Sequence, residues 1–217
     1  MIRDRLLAAG SGLAALVGAL IMLVALIALP GPWLVGYVSE AGTTGQPFAV
    51  AYRCGVILLA AGAGLLAMAL RRIPAAGALL GLAAVLAATS GAVPCSSGCP
   101  LPPFEPTTVA DVVHAAASIV GMISLAAAMV AVAATRVLRP ATRRLATCSA
   151  ALTVPLGGYL GLTMLFVGRG GSSALSERLL LVVAVSWLIG TALLTNLPPA
   201  TPRAATVARR SSGSSPG

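Results

Sequence analysis

Lysine is absent from this chain: all 14 basic residues are arginine. Charge of any sign is scarce, at 9% of the 217 residues, where a soluble domain carries roughly 25%. A water-facing surface cannot be built from that set, so a soluble fold is excluded and a membrane class follows. The net charge of +9 and pI near 11.0 do not make a nucleic-acid binder, because the arginines fall in short clusters between apolar runs and form no single basic face. Phosphate-binding loops, nucleophile elbows, HExxH and dinucleotide fingerprints are also missing. With a single histidine and scattered carboxylates, no metal and no cofactor are expected. An arginine-only basic set beside heavy Ala and Gly usage points to a high-GC bacterial genome.

What is present is hydrocarbon. The chain is 58% hydrophobic with mean hydropathy +0.98. A bilayer core about 30 Å thick needs roughly 20 helical residues at about 1.5 Å each. Six runs meet that length, at about 8–29, 48–70, 75–93, 109–132, 145–167 and 179–197. None alternates apolar with polar residues, as a barrel wall would. The expected fold is all-α, a transmembrane bundle of six helices over residues 1–197 with short loops, followed by a disordered cytoplasmic tail over 198–217 that is rich in Pro, Ser and Gly. The short loops leave no room for a soluble catalytic domain.

Arginine asymmetry sets the expected orientation. Arg3, Arg5, Arg71, Arg72, Arg136, Arg139, Arg143, Arg144, Arg203, Arg209 and Arg210 fall on one side, eleven of the fourteen. Arg53, Arg169 and Arg178 fall on the other with Glu40, Glu105, Asp111 and Glu177. Both termini are therefore expected in the cytoplasm of a cell whose plasma membrane holds the protein. The first run ends in LPGPW without a small-x-small cleavage site and reads as an uncleaved helix. Glycine pairs such as Gly77 with Gly81, Gly157 with Gly161, and Gly62 with Gly64 suit close packing within one bundle; the alternative is a homo-oligomer face of the GxxxG type. Trp33, Tyr37, Tyr52 and Trp187 are expected near span ends as interfacial anchors.

The stretch Gly31–Arg53 lies between the first two runs and carries Glu40 and Arg53. Counting into the helices puts Arg53 and His114 roughly 7 to 8 Å below their helix starts. Asp111, His114 and Ser118 follow i, i+3, i+7 spacing and share one face of helix 4. Glu40 and Glu105 lie in loops above them. Three readings compete. In the first, Asp111 caps helix 4 after Thr107 and Thr108, Arg53 pairs with Asp111 or Glu40, and His114 is a hydrogen-bonded bundle residue. In the second, Arg53, Glu105 and Ser118 help form a polar mouth for a lipid headgroup or other amphiphile. In the third, Glu40, Asp111 and His114 are catalytic acids or bases. Cys95 and Cys99, in VPCSSGCPLPPFEP, can close a small disulfide loop in an oxidising compartment; a zinc site with His114 is the sharper alternative. Cys54 and Cys148 lie near opposite ends of the bundle, cannot pair, and are expected to face its interior.

The segment Tyr37–Leu70, YVSEAGTTGQPFAVAYRCGVILLAAGAGLLAMAL, resembles the bacterial membrane family known as domain of unknown function 998. The pattern Ser-Glu-x-Gly-x-x-Gly-x-Pro falls on Ser39, Glu40, Gly42, Gly45 and Pro47, and Pro103, Glu105, Asp111 and His114 match in kind. The resemblance covers residues from about 10 to 197 and implies six helices. It departs at Arg53, where relatives often carry an uncharged residue, and at the CSSGC insert. The family looks distantly like eukaryotic six-helix proteins implicated in lipid homeostasis, which leans toward membrane lipids as partners. The expected function is binding or sensing of a lipid, isoprenoid or other amphiphile at the outer leaflet, without catalysis or nucleic acid. The rival is a small enzyme acting on an isoprenoid or other lipid through Glu40, Asp111 and His114, as in prenyl-chain cyclisation. A transporter would show an inverted repeat and mid-membrane charge, and neither is seen.

Overall fold

The computed structural model describes residues 2–29, 36–102 and 104–197. Trp33, Pro103 and the tail from 198 onward lie outside the described residues. Among those described are six α-helices and no strand: α1 (Ile2–Ile27), α2 (Ala49–Ala69), α3 (Pro74–Ala92), α4 (Val109–Ala134), α5 (Pro140–Phe166) and α6 (Gly171–Asn196), with a 3-10 helix, Val38–Gly42, between α1 and α2. All six are long and apolar enough to cross a membrane. Only 28–39% of each span's most apolar window is buried inside the protein. The rest is a continuous hydrocarbon surface that water would not tolerate and lipid matches.

Each helix packs on the next, and α6 closes the ring against α1. The main core has Leu66, Leu80, Met129, Val132 and Trp187 fully buried, a second cluster joins Met22, Leu26, Val38, Ala41 and Tyr52, and a third joins Tyr37, Cys95 and Cys99. Contact between α1 and α2 depends on glycine. A Cβ on Gly18 would lie 2.6 Å from the Gly55 carbonyl oxygen, and one on Gly55 would lie 2.8 Å from the Gly18 oxygen. Lipid supplies no hydrophobic drive between helices, so this close backbone approach takes its place.

The helices outrun the apolar runs at charged ends. α1 begins at Ile2, with Asp4 in its first turn. α6 begins at Gly171, eight residues ahead of its run, and so takes in Glu177 and Arg178. An apolar window trims charged residues, whereas a helix continues through them when they find partners. Trp187 therefore sits in the interior of α6 and is fully buried, and Tyr37 and Tyr52 are buried too, so these three rings are core residues and not an interfacial belt. Cys54 and Cys148 are exposed on the bundle's outside, where a small apolar thiol suits lipid as well as it suits a core. Gly62 touches α1 at Ser11 and Ala15, whereas Gly81, Gly157 and Gly161 meet open space.

Candidate functional site

The end of the bundle holding the 3-10 helix, the α3–α4 connection and the α5–α6 turn gathers nearly every polar contact of interest. The N-terminal end of the 3-10 helix is anchored by charge. Tyr37 N–H donates to Glu40 Oε1 at 2.8 Å, and Val38 N–H donates to Glu177 Oε2 at 2.6 Å. The Arg178 guanidinium, buried in α6, donates to the Gly36 carbonyl at 3.0 Å and to the Ala174 carbonyl at 2.9 Å. Gly36 has φ +85°, and a Cβ there would lie 2.6 Å from Glu40 Oε1, so only glycine fits beneath the carboxylate. From the α5–α6 turn, Arg169 donates from Nε and Nη2 to the two Glu40 oxygens, a fork-to-fork pair. These bonds hold the Arg169 guanidinium above its already high ordinary pKa, against partial burial. Burial pushes the Tyr37 phenol up as well.

The α3–α4 connection is organised by Asp111. Its carboxylate accepts from Thr108 N–H at 2.8 Å and Thr108 Oγ1 at 2.7 Å, while Asp111 N–H donates back to Thr108 Oγ1, a reciprocal helix cap. The same carboxylate accepts from Ser96 N–H at 2.6 Å and Ser96 Oγ at 3.0 Å. Ser96 lies between Cys95 and Cys99, which form a disulfide with Cα atoms 5.0 Å apart. One turn further along α4, His114 Nδ1 faces the carbonyl oxygens of Val93 at 2.8 Å and Ser90 at 3.0 Å. Both are acceptors, so Nδ1 carries the proton. Ser118 exchanges a hydrogen bond with Ser90 at 2.8 Å.

Arg53 ties α2 to α3. Its Nε donates to the Gly91 carbonyl at 3.0 Å and its Nη2 to the Ala92 carbonyl at 2.8 Å, satisfying carbonyls that the end of α3 leaves open. Beside it opens a recess of about 570 Å³, bounded by the loop from Gly42 through Gln46 and Pro47 and by the first turn of α2, with Arg53 at its edge.

The sequence-based candidates thus divide among three local units. Glu40 belongs with Arg169 and Tyr37, Asp111 and His114 belong with the cysteine loop and the end of α3, and Arg53 belongs with that same helix end and the recess. Glu40, Asp111 and His114 share no hydrogen-bond partner among the described residues. Arg53 donates to backbone carbonyls rather than to Asp111 or Glu40. Glu105 is exposed, its N–H donating to the Leu101 carbonyl. The residues that sequence reasoning left in a loop are Arg169, Glu177 and Arg178. A usable signal was the segment SSALSER, helix-compatible and without a breaker before the last run.

No curated protein and no solved structure matches the chain. The sequence profile described as "Protein of unknown function (DUF998)" matches residues 12–194, most of all six helices, and the chain belongs to that family.

Proposed function

We propose that this multi-pass membrane protein binds an anionic amphiphile in the recess beside Arg53, with both termini cytoplasmic and the recess opening at the outer leaflet of the plasma membrane. The observation that carries the reading is the lining of that recess. Gly42, Gly45 and Pro47, three of the five positions of the family-like loop pattern, bound it together with Phe48, Val50 and Arg53. Phe48 and Val50 are exposed and apolar, as a surface meeting an acyl or prenyl chain should be. Arg53 Nε and Nη2 are pinned by the α3 carbonyls. That leaves Nη1 on a pre-positioned guanidinium to meet a phosphate or carboxylate, the pairing arginine makes best. Acid–base turnover by Glu40, Asp111 and His114 has less support, because each is engaged with a different set of partners.

The test is native mass spectrometry of the full chain in mild detergent, titrated with phosphatidylglycerol and separately with phosphatidylcholine. One anionic lipid per chain should survive activation, and the recess-filling substitution Val50→Trp should remove it. Equal retention of both lipids, or retention by Val50→Trp, would refute the assignment.

A further inference from the structure

We infer that Cys95, Cys99 and His114, once the disulfide is reduced, form a site for a thiophilic d10 cation, so that this corner of the protein exchanges a disulfide for a metal. The two sulfurs and one imidazole nitrogen all lie within 4.8 Å of one another, and all three residues are buried. Two thiolates and an imidazole are the donor set that soft cations select, Cu⁺ as a three-coordinate ion or Zn²⁺ with a fourth position left open.

Three features outside the sulfurs preorganise the site. The Val93 and Ser90 carbonyls hold the proton on His114 Nδ1. In the neutral ring this leaves Nε2 with its lone pair, and a backbone carbonyl on the other nitrogen is the usual outer-shell partner of a metal-bound histidine. Asp111 grips Ser96 by both its N–H and its hydroxyl. The cysteine loop is therefore fastened to α4 independently of the S–S bond and stays over His114 when that bond opens. Finally, Cys99 has φ +46°, the one positive value for a non-glycine among the described residues. L-residues avoid that region, and such outliers gather at ligand clamps.

The chemistry balances simply. A dithiol reductant delivers two electrons and two protons, cleaving the S–S bond to Cys95–SH and Cys99–SH and becoming a disulfide itself. The cation then displaces both thiol protons as two metal–thiolate bonds form, while His114 coordinates without releasing one.

The test uses the full-length chain in a Cys54→Ser, Cys148→Ser background, so that only Cys95 and Cys99 can respond. Reduced and oxidised samples are titrated with Co²⁺ as a spectroscopic stand-in for Zn²⁺, with Zn²⁺ itself, and with Cu⁺ against a chromophoric chelator. Reduced protein should take up one equivalent of Zn²⁺ or Cu⁺, and Co²⁺ should show a thiolate charge-transfer band. The oxidised sample should bind none, and His114→Gln should weaken binding at least about 10- to 100-fold, the loss that even outer-shell changes produce. Equal uptake by reduced and oxidised protein would overturn the inference, and so would undiminished affinity in a folded His114→Gln. If that variant does not fold, reduced protein alkylated at both cysteines decides: uptake that persists after alkylation also overturns it.

Discussion

The two ends of the bundle use the same residue type in opposite ways. At the end with the α2–α3 and α4–α5 turns, the two arginines that follow α2 stay at the surface. Arg71 and Arg72 are 56% and 67% exposed, and each only approaches Asp4, at 3.4 and 3.7 Å. At the loop end, Arg53, Arg169 and Arg178 reach inward to carbonyls and carboxylates and bind separate elements together. One motif crosses the divide. Arg143 donates to the Ala133 carbonyl at the end of α4, as Arg53 does at the end of α3, and each arginine borders a recess. The difference is that the Arg71 and Arg72 charges at one end are left mostly to solvent, whereas charge at the other end is structural and needs a defined partner.

Substitutions should separate the two ends by size of effect. Asp111→Ala removes the acceptor for both Ser96 and Thr108 and should lower stability by about 3 kcal/mol, the sum of a lost cap and buried donors left unpaired. It would appear as a large fall in the thermal midpoint in detergent; a midpoint at the wild-type value would break the contrast. Gly36→Ala forces a side chain into a left-handed position under Glu40 and should lower stability by about 1–2 kcal/mol. A chemical-denaturation series that left the midpoint unmoved would show that the 3-10 helix is not fastened there. At the opposite end, Arg72→Gln should change stability by less than about 1 kcal/mol, because its side chain is 67% exposed and its ion pair is screened by solvent. A drop as large as that of Asp111→Ala would erase the distinction between the ends.

How much of this could be read from the chain follows the range of each interaction. The six spans are legible because hydrophobic composition over about 20 residues is a local property. The link between Thr108 and Asp111 is legible because capping acts over three residues. The cysteine pair is legible for the same reason, at a separation of four. Glu40 was recognisable as an unusual acid, but its partner Arg169 is 129 positions away and Glu177 meets Val38 across 139. Only the closure of α6 against α1 brings them together. The start of α6 was misplaced because an apolar window ends where charges begin, and these charges are satisfied inside the fold.

The loop end has a locked part, centred on Glu40, and, in the proposed function, a receptive part, centred on Arg53. The most direct test compares Glu40→Gln with Arg53→Gln, reading both thermal midpoint and anionic-lipid retention by native mass spectrometry. Glu40→Gln should lower the midpoint while keeping the lipid, and Arg53→Gln should lose the lipid. A Glu40→Gln protein of unchanged stability that no longer retains lipid, or an Arg53→Gln protein that still does, would contradict this division.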